Sequence, residues 1–94
     1  MRKEINPKIQ AAATSYVAQF SYGTTLRHFI VFSLKGDRVT ARTAYNERRA
    51  KTWAYQSGGE CFAVQPNAGE NGATITRLKP LTAAQWRAMM QDRR

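Results

Sequence analysis

The chain has 94 residues, one Cys, one His and a hydrophobic fraction of 43%, and its fifteen Lys and Arg against six Asp and Glu give a net charge of +9 and a pI near 10.5. That length predicts one small domain, 1–94, burying roughly two thirds of the surface exposed by the unfolded chain, enough for a layered core but not for a deep enclosed pocket. The hydrophobic fraction argues against intrinsic disorder, and a single Cys with a single His excludes an intramolecular disulfide and a zinc site.

Cys61 lies in an apolar run and is expected in the core of a protein from a reducing, cytoplasmic setting. No stretch approaches the roughly 20 apolar residues of a membrane span. Residues Met1 to Pro7 do not lead into the apolar run of a secretory signal. A soluble intracellular protein with no membrane partner is expected.

Asn6 followed by Pro7 is a strong helix start, a capping side chain before a residue whose missing N–H costs nothing at the first helical position. Ile9, Ala12, Ala13, Tyr16, Val17 and Phe20 recur at helical spacing and Gly23 is placed to end the run, so a helix is predicted over about 7–21. Its apolar stripe is read as core packing.

From Leu26 to Leu34 the residues are mostly β-branched or aromatic, and Gly36-Asp37 between Lys35 and Arg38 reads as a two-residue hairpin loop. Pairing Lys35 with Arg38 puts Leu34 opposite Val39, Phe32 opposite Ala41, Ile30 opposite Thr43 and His28 opposite Tyr45 on one face. Phe29, Val31, Ser33, Thr40, Arg42 and Ala44 then share the other. The first face suits the N-terminal helix.

Residues 46–57 admit two structures. Asn46 is able to cap a helix ending at Gly58-Gly59; alternatively Asn46 to Arg49 is a turn into a strand over 50–56. The β character of Thr52-Trp53-Ala54-Tyr55, and Gly58-Gly59 as a second two-residue loop, favour the strand. Arg42 would then lie opposite Trp53 and Thr40 opposite Tyr55, with Trp53 and Tyr55 facing Phe62 and Val64 on the next strand.

After Pro66 a turn-rich loop precedes a fifth strand over 73–78. Thr82 with Gln85 forms a capping box and Leu81 with Trp86 a hydrophobic staple, which start a helix over about 82–92 with Trp86, Met89 and Met90 on its apolar side. The expected fold is α+β, a five-stranded antiparallel meander flanked by an N-terminal and a C-terminal helix. A meander closed by a Leu-Thr-x-x-x-Trp helix resembles small proteins that bind single-stranded DNA through a curved sheet, and the size and basicity resemble accessory proteins of phages and plasmids. Neither resemblance carries a residue role across.

The charge is segregated: no Lys or Arg falls between Thr52 and Thr76, whereas 38–51 and 77–94 carry clear positive excess. A basic side beside aromatic residues suits polyanions, with cations for phosphates and π faces for bases. The candidate contact residues are Arg38, Arg42, Arg48, Arg49, Lys51, Trp53, Tyr55, Arg77 and Lys79. Trp53 and Tyr55 are either a stacking platform or a core packed against Trp86; the cations are read as contacts in both cases, against the alternative of a solvated face that binds nothing.

His28 with Arg27, Arg42 and Tyr45 would be the acid–base set of a metal-independent nuclease, but a lone His at a strand edge is more often structural, and no enzyme activity or cofactor is assigned. The leading expectation is a nucleic-acid-binding protein, for DNA or RNA. The alternative is an inhibitor of phage or mobile-element type docking on an acidic host protein that handles nucleic acid. An exposed edge strand leaves a homodimer open.

Overall fold

In the computed structural model, residues 4–19, 27–67 and 72–91 are described. Asn6 accepts a hydrogen bond from the Lys8 N–H at 2.8 Å, Pro7 occupies the first helical turn, and helix α1 (Pro7–Ala18) follows. Phe20 and Gly23, expected at its end, lie outside the described residues.

The two-residue loop fixes the first hairpin in the register its residues predict. Strands β1 (His28–Lys35) and β2 (Arg38–Ala44) pair from Lys35↔Arg38 to Phe29↔Ala44. Gly36 has φ +64° and no other residue of the loop has positive φ, the sign pattern of a type II′ turn that matches the strand twist. The predicted ladder ends one pair early, since no pair joins His28 to Tyr45, although their rings remain 6.1 Å apart.

Beyond Ala44 the expected meander fails. Residues 47–57 form helix α2 (Glu47–Ser57), capped by Asn46, whose side chain accepts from the Arg49 N–H at 3.2 Å, and closed by Gly58 in the left-handed region at φ +70°. The helix sets Ala50 and Ala54 one turn apart on the face against the sheet, where both are fully buried, and keeps Thr52 and Gln56, which a strand would put on that same face, out of the core. Glu47 and Lys51, one turn apart, add an ion pair at 3.2 Å. Against this, the β preference of Thr52-Trp53-Ala54-Tyr55 is a weak prior that tertiary packing overrides.

Gly58-Gly59 is therefore a helix stop, not a hairpin loop. Replacing Asn46 by Ala removes the cap and is expected to cost about 1 kcal/mol in urea unfolding; an unchanged midpoint would show that the cap contributes nothing.

Strands β3 (Glu60–Pro66) and β4 (Ala73–Leu78) complete one four-stranded antiparallel sheet of order β2-β1-β3-β4. The strand expected over 50–56 does not exist, so among the described residues the sheet has four strands, not five. β2 and β3 both run antiparallel to β1 and flank it, and α2 is the crossover between them. Phe62 and Val64 face no part of 50–56; they pair with Ile30 and His28 on one side and with Arg77 and Ile75 on the other.

Alternation along the strands makes two cores. Ile30, Phe32, Phe62 and Val64 pack with Ile9 and Ala13 of α1, and Phe29, Val31, Ala44 and Cys61 pack with Ala50 and Ala54 of α2. The sheet is thus covered on both faces, and β1 is buried through its first five residues. The predicted division of the hairpin between two faces holds, and Cys61 is fully buried.

The C-terminal helix α3 (Ala83–Gln91) begins with the predicted capping box: the Gln85 N–H donates to Thr82 Oγ1 at 3.1 Å and the Thr82 N–H to Gln85 Oε1 at 3.0 Å. None of its residues joins either core of the sheet. Trp86 stacks on Tyr55 of α2 with ring centroids 5.6 Å apart, the Leu81 N–H donates to the Lys51 carbonyl at 3.3 Å, and no α3 residue is fully buried. α3 forms a partial third layer over the outer side of α2. Among the described residues no helix is long and apolar enough to cross a membrane.

On the α1 side, His28 is buried and its Nε2 lies 2.6 Å from the Tyr16 hydroxyl. Burial pushes the Tyr16 phenol above its ordinary value, and Tyr45 adds to the shift. A phenol held neutral in the fold contributes its full stability below pH of about 10, and that contribution is lost as pH rises through the elevated folded value. The urea midpoint is therefore expected to fall above about pH 10, and to fall less steeply in Tyr16→Phe. Equal slopes in the two proteins would rule out this origin.

Candidate nucleic-acid interface

The basic residues of β2 and α2 meet at the open edge of the sheet. Arg38, Thr40 and Arg42 alternate onto the face that carries α2, and among the described residues no strand lies beyond β2. α2 directs Ala50 and Ala54 into the core, which places Trp53 at the rim of that core beside β2. The Arg42 guanidinium carbon sits 3.5 Å from the centroid of the Trp53 ring, and that of Arg49 lies 5.9 Å from it.

Arg42 and Trp53, expected opposite each other on adjacent strands, meet instead from strand to helix, and in the sheet Arg42 pairs with Val31. An exposed cation–π pair of this kind is worth about 0.5–1 kcal/mol.

Trp53 and Gln56 form a ridge between two open grooves. The first, of about 360 Å³, lies between α2 and the β1–β2 edge, with Ser33, Thr40, Arg42 and Ser57 among its walls. Its floor is fixed by the Ser33 and Ser57 hydroxyls, 2.7 Å apart, and by the Ser57 hydroxyl donating to the Trp53 carbonyl at 2.8 Å. The second, of about 530 Å³, lies between α2 and α3, where Arg48 and Arg49 face Trp86 and Met89.

The acidic side chains nearby are engaged elsewhere. Asp37 lies 3.5 Å from Lys8, Glu47 pairs with Lys51, and Glu60 holds Arg77 through two hydrogen bonds of 2.8 and 2.9 Å. Arg38, Arg42, Arg48 and Arg49 are exposed and have no carboxylate within ion-pair distance among the described residues. Two of these guanidinium groups, Arg42 and Arg49, thus lie against one half-buried indole, Arg48 shares the second groove with it, and Arg38 lies farther along the same face of β2. The geometry offers cations for phosphate oxygens and a π surface between them.

The remaining candidates are placed differently. Lys51 is half-buried in its ion pair, and Tyr55 is taken up by the stack with Trp86. Arg77 belongs to the α1 face and is bound to Glu60, whose hydrogen bonding raises its pKa further; Lys79 is exposed beyond the end of β4. These four do not join the cluster around Trp53. Sequence reasoning did not find Ser33, Gln56 and Ser57 as groove residues, because Gln56 and Ser57 reach their positions only if 47–57 is helical.

His28 projects to the α1 side of the sheet and Arg42 to the α2 side, so the His, Arg and Tyr set of a nuclease does not converge. Among the described residues no three His, Cys, Asp or Glu gather as metal ligands. No family model matches the chain, and no curated protein and no solved structure matches it significantly.

Proposed function

We propose that this is a nucleic-acid-binding protein whose contact surface is the arginine cluster around Trp53. The observation that carries this function is that the exposed Arg38, Arg42, Arg48 and Arg49 have no carboxylate partner among the described residues, with Arg42 and Arg49 set against the Trp53 ring. In a chain of net charge +9, carboxylates are bonded to Lys8, Lys51 and Arg77 while this group is left without them. Such a surface exchanges condensed counterions for its own cations when it meets a phosphate backbone.

A titration of a fluorescent oligonucleotide across a KCl series tests this. Affinity is expected to fall linearly in log–log form, with a slope near −0.7 for each phosphate neutralised on a single strand, or near −0.9 on a duplex. Salt-independent binding, or none, would overturn the proposal. Absence of oligonucleotide binding together with a stoichiometric protein partner that survives nuclease treatment would assign the cluster to an acidic protein surface instead.

A further inference from the structure

The half-buried Trp53 ring between exposed arginines restricts which nucleic acid this surface takes. We infer that the ligand is a single strand, that it crosses the Trp53–Gln56 ridge between the two grooves, and that a base replaces the Arg42 guanidinium on the Trp53 face. The inference rests on the proposed nucleic-acid function and goes further in excluding the duplex as the preferred form.

A helix about 10–12 Å across enters a major groove about 12 Å wide only if its outer face is free. That face of α2 is free only in part: Arg48, Arg49 and Gln56 are exposed, but Trp86 stacks on Tyr55, the Leu81 N–H is bonded to the Lys51 carbonyl, and Met89 shares a groove wall with Arg48. Nor is the β1–β2 hairpin a separate ribbon, the other element a major groove admits, because β1 is an interior strand buried on both faces. What remains accessible is an indole rim flanked by cations. A π surface there finds a partner in unstacked bases, whereas the bases of a duplex keep their faces covered.

Arg42 suits the exchange. It lies over the indole in the free protein, is exposed, and has no carboxylate to hold it there. A base stacked on an aromatic side chain gains more than an exposed cation–π pair loses. The displaced guanidinium stays on the edge strand, within the same groove, where a phosphate of the incoming strand gives it a stronger partner.

The test compares a single-stranded oligonucleotide of about 12 nucleotides, within the range one small domain covers, with the duplex of the same sequence. The chain is labelled with 5-fluorotryptophan, its two resonances being assigned from W53F and W86F. The single strand is expected to bind at least tenfold more tightly than the duplex and to move the Trp53 resonance. Trp53→Ala should lose about tenfold or more in single-strand affinity, and Trp53→Phe, which keeps a ring and serves as the folded control, should retain most of it. Equal or tighter duplex binding with an unmoved Trp53 resonance would overturn the single-strand inference while leaving the nucleic-acid function in place. Failure of both forms to bind would overturn both.

Discussion

Reversing Arg48 and Arg49 together to Glu is expected to lower oligonucleotide affinity by about a hundredfold and to flatten the salt dependence. Each arginine that hydrogen-bonds a phosphate contributes about 1.5 kcal/mol or more, and two such losses, about 3 kcal/mol, correspond to that factor. Counterion release adds a second signature, a log–log slope shallower by about 0.7 for each single-strand phosphate no longer neutralised. Both side chains are exposed and unpaired, on the groove-facing side of α2, so the fold should be unaffected. Anisotropy titrations of wild type and double variant, with circular dichroism as the fold control, give the comparison. Unchanged affinity in a folded variant would remove α2 from the interface.

The largest stability effect should come from Gly59→Ala. Gly59 is buried where the chain leaves α2, and a Cβ built on it would overlap the Phe32 carbonyl oxygen and approach the Ser33 hydroxyl within 2.6 Å. The carbonyl is backbone of a central strand and cannot rotate away. Relief requires separating β3 from β1, at a cost of about 3 kcal/mol, the upper part of the usual overpacking range. Chemical unfolding should show this as a lowered midpoint with an unchanged slope. Gly58→Ala has open space around it and suffers only from its left-handed backbone, so its cost should be nearer 1 kcal/mol. A reversed order would mean that β3 does not begin against Phe32.

The contrast between these two glycines explains where sequence reasoning succeeded. Signals confined to a few neighbouring residues were legible: Asn6-Pro7 before α1, Gly36-Asp37 with the hairpin register it imposes, and the Thr82–Gln85 box before α3. Each depends on local hydrogen bonds or backbone dihedrals, so no distant part of the chain is needed to decide it. The start of β4 is legible for the same reason, in the turn residues that precede it.

Residues 46–57 were not decided locally. Asn46 suits a cap as well as a turn, and Gly58-Gly59 suits a left-handed helix stop as well as a two-residue loop. The choice is made by Ala50 and Ala54, whose small side chains let a helix lie close on Phe29, Val31 and Cys61. That surface exists only once β1 and β3 have paired. The error propagated to Tyr55, expected in the sheet beside Phe62 and found under Trp86, and to Gln56 and Ser57, which line the grooves.

The site itself was half legible. Arg38, Arg42, Arg48, Arg49 and Lys51 are expected as contacts whether or not Trp53 is buried; of these, Arg42 and Arg49 lie against Trp53, and Lys51 is held by Glu47. Arg77 was named on charge alone, and charge alone did not show that Glu60 stands across from it. The resemblance to single-strand binders that use a curved meander loses its basis with the fifth strand, and the single-strand inference stands instead on the Trp53 ring between exposed arginines, with the Trp86–Tyr55 stack beside it.

The most direct measurement of the central claim is a ¹⁵N correlation spectrum of the protein recorded through an oligonucleotide titration. The Trp53 Nε1 and Arg42 Nε resonances, with the amides of Arg48, Arg49 and Gln56, are expected to move together and to saturate with one affinity. The amides of α1 and the Arg77 Nε resonance should stay in place. Shifts concentrated on the α1 face, or a saturating titration that leaves Trp53 and Arg42 unmoved, would contradict the placement of the binding surface around Trp53.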